Sequence, residues 1–258
     1  MDDTALLSLA ARLAHQAGAI ILAIRARGFE TLSKSDDSPV TEADHAAEAL
    51  IAAGLRAAAP GIPVIAEEEC AAGIDHAPGD TYWLVDPLDG TREFAAGRDE
   101  FTVNIGMVRD GACVLGVVGV PAYGELFGGI VGRGAWKRTG AGERAITVRT
   151  PPPEGLAVLA SRHYAGDHRL DAFLEGRVVA SVGNIGSAVK FCRVAEGVAD
   201  LYPRFGRTME WDTAAPQAVL EAAGGRCRIM GDGYSGKAGR LGYGKPGWEN
   251  PSFVCTGR

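Results

Sequence analysis

The sequence predicts a mixed α and β protein built as alternating layers of helix and sheet, and three observations carry that expectation. Apolar residues first recur at helical spacing, short β-rich runs then follow one another from Ile62 to Val148, and strand-like and helix-like segments alternate beyond residue 153. A chain of 258 residues can bury a sizeable core, as one large domain or as two small ones sharing an interface.

Each element follows from its own residues. Leu6, Leu9, Leu13, Ala17, Ile20, Ile21 and Ile24 recur at steps of three and four, which predicts an amphipathic helix from about Thr4 to Arg27. After a polar turn over Lys34-Ser35-Asp36-Asp37-Ser38-Pro39, Thr41 opens an alanine-rich second helix that ends at Ala59, before Pro60-Gly61. Two helices are therefore expected before the first strand. The β-rich runs are Pro63–Ile65, Tyr82–Val85, Phe101–Val108, Cys113–Val120, Glu125–Val131 and Ala145–Val148, with Asp110-Gly111 and Tyr123-Gly124 as hairpin-like turns of an antiparallel meander. Pro151-Pro152-Pro153 is the expected boundary between an N-terminal α+β domain (1–150) and a C-terminal α/β domain (151–258). In the second, strands Leu156–Ala160, Arg177–Ser181 and Asp200–Tyr202 alternate with helices near Asp167–Leu174, Gly186–Glu196 and Thr213–Ala223, before a glycine-rich loop from Gly231 to Gly247.

Composition limits the function classes. A formal charge of -6 with no basic stripe argues against binding a nucleic-acid polymer or an anionic membrane, although local charge can still hold a small phosphorylated molecule. Five widely spaced cysteines, Cys70, Cys113, Cys192, Cys227 and Cys255, form no C-x-x-C and read as reduced thiols. The start Met1-Asp2-Asp3 lacks a basic n-region, and the apolar run Ala19–Ile24 is too short to span a bilayer, so a cytoplasmic protein without a transmembrane segment is expected.

The chemistry concentrates at Asp86-Pro87-Leu88-Asp89-Gly90-Thr91, which directly follows the apolar run Tyr82–Val85. Two acids three residues apart, a forced turn and the start of a helix-compatible stretch meet there, a combination suited to a phosphate bridged to cations. Glu67-Glu68-Glu69 follows the preceding strand, and Asp212 follows Trp211 near the start of the last helix. With the strands side by side, Glu67, Asp86 and Asp89 converge at one sheet edge and Asp212 closes the site. Hard carboxylate oxygens without histidine or cysteine favour Mg²⁺ over zinc, and so metal-assisted phosphate hydrolysis. Taken singly, several of these residues read more plainly. Glu67-Glu68-Glu69 fits a solvated charge run, Asp212 an N-cap, Thr41-x-x-Asp44 a capping box, Lys190 a surface lysine and Ser187 a cap.

The DPLDGT turn, the glutamates after a β-run, and Trp211-Asp212-Thr213-Ala214-Ala215 together resemble the three motifs of the inositol monophosphatase superfamily. The likeness extends to Lys34–Thr41, Trp83–Phe94, Glu100–Ile105, Lys190-Phe191-Cys192 and Tyr202–Gly206, and is nearest to the 3′(2′),5′-bisphosphate nucleotidases of the CysQ type. It implies a fructose-1,6-bisphosphatase-like sandwich of helix and sheet layers, and a lithium-sensitive enzyme using two or three Mg²⁺ ions. Such an enzyme converts adenosine 3′,5′-bisphosphate, and also 3′-phosphoadenylyl sulfate, by removing the 3′-phosphate. Carried over by position, Glu67, Asp86, the Leu88 carbonyl, Asp89 and Asp212 are the implied metal ligands. Thr91 and Asp44, with Glu67, are the implied catalytic residues around the attacking water. Asp89, Gly90, Thr91 and Asp212 would surround the scissile phosphate, while His163, Gly186, Ser187, Lys190 and Arg204 would contact the rest of the nucleotide. Relatives often read Ser-Arg-Ser-His where this chain has Ser161-Arg162-His163-Tyr164, which displaces the histidine by one residue. The alternatives are an inositol or histidinol monophosphatase and, outside enzymes, a phosphonucleotide-binding regulatory protein. The resemblance is compatible with a monomer or homodimer and with peripheral association with the inner membrane.

Overall fold

The structure is a computed structural model that describes residues 1–33, 39–74, 77–162, 168–231 and 238–258. Helix α1 (Asp3–Arg27) and helix α2 (Glu42–Ala58) form as their apolar periodicity predicts. Between them lies a two-stranded hairpin that the sequence reading leaves as a turn, β1 (Thr31–Ser33) against β2 (Pro39–Thr41), with Leu32 opposite Val40. Three residues per strand are too few to give an alternation signal. Of the polar turn expected at Lys34–Pro39, residues 34–38 lie outside the described residues and Pro39 opens β2.

The meander is present and longer than expected. Strands β3 (Val64–Ala66), β4 (Thr81–Asp89), β5 (Thr102–Arg109), β6 (Ala112–Val120), β7 (Glu125–Ile130), β8 (Gly134–Thr139) and β9 (Gly142–Ile146) form one sheet in chain order. Only the β3–β4 pair is parallel. β8 escapes sequence reading because Trp136 and Lys137 are half-buried and Arg138 exposed, with no clean apolar alternation.

The second sheet runs in the order β11 (Val179–Ile185), β10 (Leu156–Ser161), β12 (Leu201–Arg204), β15 (Phe253–Thr256), β13 (Arg226–Ile229), β14 (Ala238–Arg240). Its first three strands are parallel and carry the expected βα alternation with α5 (His168–Leu174), α6 (Val189–Ala195) and α7 (Glu210–Ala222). The three last strands pair antiparallel and are absent from the sequence expectation, as they are only three or four residues long. Part of the glycine-rich loop thus becomes β14, and residues 232–237 are outside the described set.

α1 and α2 cover one face of the large sheet, burying Trp83, Val85, Val103 and Ile105. Taken whole, α1 is long and apolar enough to cross a membrane, with a mean hydropathy of 1.5 over its most apolar stretch, a property missed when only its longest unbroken run is considered. Its apolar face is spent on the core, where Leu6, Ala10, Leu13, Ala17 and Ile21 are buried. The opposite sheet face receives α7. Gly106 and Gly116 oppose each other on β5 and β6, and a Cβ at either would lie 2.5 or 2.4 Å from backbone atoms of Ala215. Two bare positions let the α7 backbone settle directly on the sheet, which fixes its N-terminal turn over the ends of β4 and β5.

Candidate active site

A regular strand would send Asp86 and Asp89 to opposite faces, since side chains alternate and the two are three residues apart. β4 avoids this with a bulge: Asp86 opposes Asn104 and Asp89 opposes Thr102, so three steps on β4 match two on β5. Pro87, which has no N–H to leave unpaired, sits within it. Both acids therefore face α7. Asp86 Oδ1 accepts the Leu88 N–H at 3.0 Å, and the Leu88 carbonyl lies 3.0 Å from Thr91 Oγ1. Gly90 follows at φ 94°, where a Cβ would meet the Glu100 carbonyl at 3.0 Å, so the turn into α4 (Thr91–Ala95) requires glycine.

Glu67 opens α3 (Glu67–Ala71) directly after β3, the parallel neighbour of β4. Asp212 lies at the third position of α7, not at the cap, and its Oδ2 accepts the Met209 N–H at 2.9 Å. One carboxylate oxygen each from Glu67, Asp86 and Asp212 lie within 4.8 Å of one another. Burial pushes the Asp212 carboxyl well above the usual range, and the charges of Asp89 and Glu67 raise it further. Three converging acids with only oxygen to offer fit a hard divalent cation, which would relieve that repulsion. Asp89 stands outside this trio: its Oδ2 accepts the Ala188 N–H at 2.6 Å and Thr102 Oγ1 at 3.2 Å. Burial raises its carboxyl too, against the pull of the Lys190 charge.

The capping box at Thr41 forms as read, and the same acid reaches the site. Asp44 Oδ2 accepts the Thr41 N–H and hydroxyl at 2.8 and 2.7 Å, while Oδ1 lies 3.1 Å from Thr91 Oγ1. Burial is the main cause raising the Asp44 carboxyl. One turn on, Glu48 accepts the N–H groups of Glu68 and Glu69 at 2.7 and 2.9 Å, and burial pushes its carboxyl up to about 7. Sequence reasoning missed Glu48. The available signal was an acid four residues after Asp44 in the apolar stripe of Ala43, Ala47 and Ile51. Glu69 is not a solvated charge alone; it pairs through both oxygens with Arg56 at 2.8 and 2.6 Å.

A cavity of about 260 Å³ adjoins the acids, bounded by Glu67, Asp89–Glu93, Ser161, Gly186–Ala188, Lys190, Arg204 and Asp212. Lys190 is no surface lysine: it is 2 % exposed, with Nζ donating to the carbonyls of Ile185 (2.9 Å) and Ser187 (2.6 Å). Burial, then the nearby Arg204 charge, lowers its ammonium to about 7. Ser187 is not a helix cap but adopts φ 46° two residues before α6 begins. Gly186 is crowded, since a Cβ would lie 2.7 Å from Glu93 Cγ. Arg204 ends β12 at the cavity edge and donates to the Arg207 carbonyl at 3.0 Å. His163 lies outside the described residues. Two further residues went unforeseen: Arg162 pairs with Glu100 at 2.5 Å, and buried Glu210 accepts the N–H groups of Gly244 and Lys245, anchoring that loop to α7.

Residues 2–252 match the model of the inositol monophosphatase family. The chain belongs to that family. It is 44% identical over 215 residues to a 3′(2′),5′-bisphosphate nucleotidase CysQ of Salmonella typhimurium, spanning 83% of this chain and 86% of the relative. Among solved structures of the family, CysQ from Bacteroides thetaiotaomicron superposes with a TM-score of 0.77 at 33% identity, covering 98% of this chain and 97% of that one. An inositol monophosphatase from Thermotoga maritima reaches 0.79 at 25% identity, covering 99% and 92%. The layered fold is that of the family.

Proposed function

We propose that this chain is a Mg²⁺-dependent 3′(2′),5′-bisphosphate nucleotidase that removes the 3′-phosphate of adenosine 3′,5′-bisphosphate. The observation that carries the phosphatase reading is the trio Glu67, Asp86 and Asp212 within 4.8 Å, opening on a cavity edged by Lys190 and Arg204. The nucleotidase reading draws on the 44% identity to a relative of that name.

Glu67, Asp86, the Leu88 carbonyl, Asp89 and Asp212 would hold two or three Mg²⁺ ions. When bound, Mg²⁺ acidifies water, draws charge from the phosphoryl oxygens and steadies the leaving oxygen. The chain's own groups do the rest. Thr91 Oγ1, donating toward Asp44 Oδ1 at 3.1 Å, keeps its lone pairs for a proton of the attacking water and so orients it in line with phosphorus. Asp44, its affinity for a proton raised by burial, is placed to take that proton through the Thr91 hydroxyl. The N–H groups of Gly90 and Thr91 would bind the scissile phosphate locally, since α4 is too short for a sizeable helix dipole. As the water oxygen bonds to phosphorus, the bond from phosphorus to the ribose 3′ oxygen breaks, and that oxygen takes up a proton to leave AMP. Gly186, Ser187 and Arg204 face the remaining 5′-phosphate and ribose, and Lys190 braces the Ser187 carbonyl from beneath. A cytoplasmic location is part of the same reading.

Kinetics with Mg²⁺ on adenosine 3′,5′-bisphosphate, inositol 1-phosphate and histidinol phosphate test this reading. The nucleotide is expected to have the highest kcat/KM; a higher value for inositol 1-phosphate would make the chain a monophosphatase.

A further inference from the structure

One buried polar side chain beside the acids has no role in the chemistry above. Asn104 is 0 % exposed, and neither its Oδ1 nor its Nδ2 has a hydrogen-bond partner among the described residues. An unpaired buried amide is costly, so its persistence calls for a polar neighbour. The sheet register identifies that neighbour. Asn104 lies directly opposite Asp86 on β4 and Val118 on β6, and opposed residues share a face with Cβ atoms about 4.5–5.5 Å apart. Its other neighbours on this face are Thr102, whose hydroxyl is donated to Asp89, and Gly106, against which Ala214 and Ala215 pack. Of these side chains, Asp86 is the one left to answer the amide.

We propose that Asn104 is a positioning residue for the cation site, its amide hydrogen-bonding the Asp86 carboxylate through a buried water and holding it turned toward Glu67 and Asp212. Asn104 Nδ2 donates to the water, and the water donates to Asp86. Such water-satisfied amides are ordinary in protein interiors, and partners behind a metal ligand fix its orientation. The inference rests on Asp86 being a cation ligand. It gives the buried N–H donor of Asn104 a partner where an apolar residue would offer none.

The test is Mn²⁺ binding without substrate, read by electron paramagnetic resonance of the free ion, on wild type, Asp86→Asn, Asn104→Leu and Asn104→Ser, with thermal unfolding of the metal-free proteins. Leucine fills the amide's volume and excludes the water, so it should weaken Mn²⁺ binding about tenfold or more while metal-free Tm stays level or rises. Serine keeps a donor and should stay within about threefold of wild type. If Asn104→Leu binds Mn²⁺ as tightly as wild type, Asn104 positions nothing and the proposal fails. If the leucine variant does not fold, Asn104→Val against Asn104→Ser decides by the same ratio, equal affinities overturning the proposal. Absence of Mn²⁺ binding by wild type, or undiminished binding by Asp86→Asn, would instead overturn the cation reading itself.

Discussion

The acid cluster and the cavity rim facing it are built in opposite ways. Glu67, Asp86 and Asp89 sit at strand ends of one sheet, and the bulge that aims two of them the same way lies within six consecutive residues. The rim is assembled from the ends of β10, β11 and β12, with Ser187 in a left-handed conformation and Lys190 drawn inward beneath it. Local chain geometry therefore aims two of the acids, whereas tertiary packing brings Asp212 to them and assembles the whole rim. The contrast predicts that damage to the cluster abolishes turnover of every substrate, while damage to the rim changes their ranking.

The largest expected effect is at the cluster. Asp86→Asn should lower kcat by about 10³-fold for nucleotide and inositol phosphate alike, with an unchanged circular dichroism spectrum. A preserved rate would remove Asp86 from the metal shell. Thr91→Ala comes next, with kcat reduced by roughly 10²-fold or more as the water loses its orienting hydroxyl. At the rim, Arg204→Ala should cut kcat/KM for adenosine 3′,5′-bisphosphate about tenfold and leave inositol 1-phosphate nearly untouched. Equal losses on both would blur the division between cluster and rim. The smallest effect is a pH dependence of the metal-free protein. Glu48 is raised from 4.5 to about 7 in the folded state, so its stabilising contribution is complete below 4.5 and is lost as pH rises through 7. Glu48→Gln should flatten that decline in Tm between pH 5 and 8, and an unaltered slope would show that Glu48 does not titrate there.

The residues legible in sequence are those whose neighbours along the chain already constrain them. DPLDGT announces its turn through Pro87 and Gly90, Thr41-x-x-Asp44 its cap, and the long apolar runs of β4 to β6 their sheet. Illegible residues depend on partners far along the chain. Glu48 looks like any helix glutamate until α3 is placed over it twenty residues later, and Lys190 looks like a surface lysine until β12 covers it with Tyr202. Asn104 is read as a strand residue until its register with Asp86 is known. Short strands such as β13 and β15 form because a neighbouring strand offers an edge, which no local periodicity records.

Hydrolysis of adenosine 3′,5′-bisphosphate in ¹⁸O-labelled water with Mg²⁺ tests the central claim most directly, with both products followed by mass spectrometry. Water attack on the 3′-phosphorus predicts one labelled oxygen in inorganic phosphate and unlabelled AMP that carries its phosphate at the 5′ position. Label in the nucleotide, or a product retaining the 3′-phosphate, would contradict it.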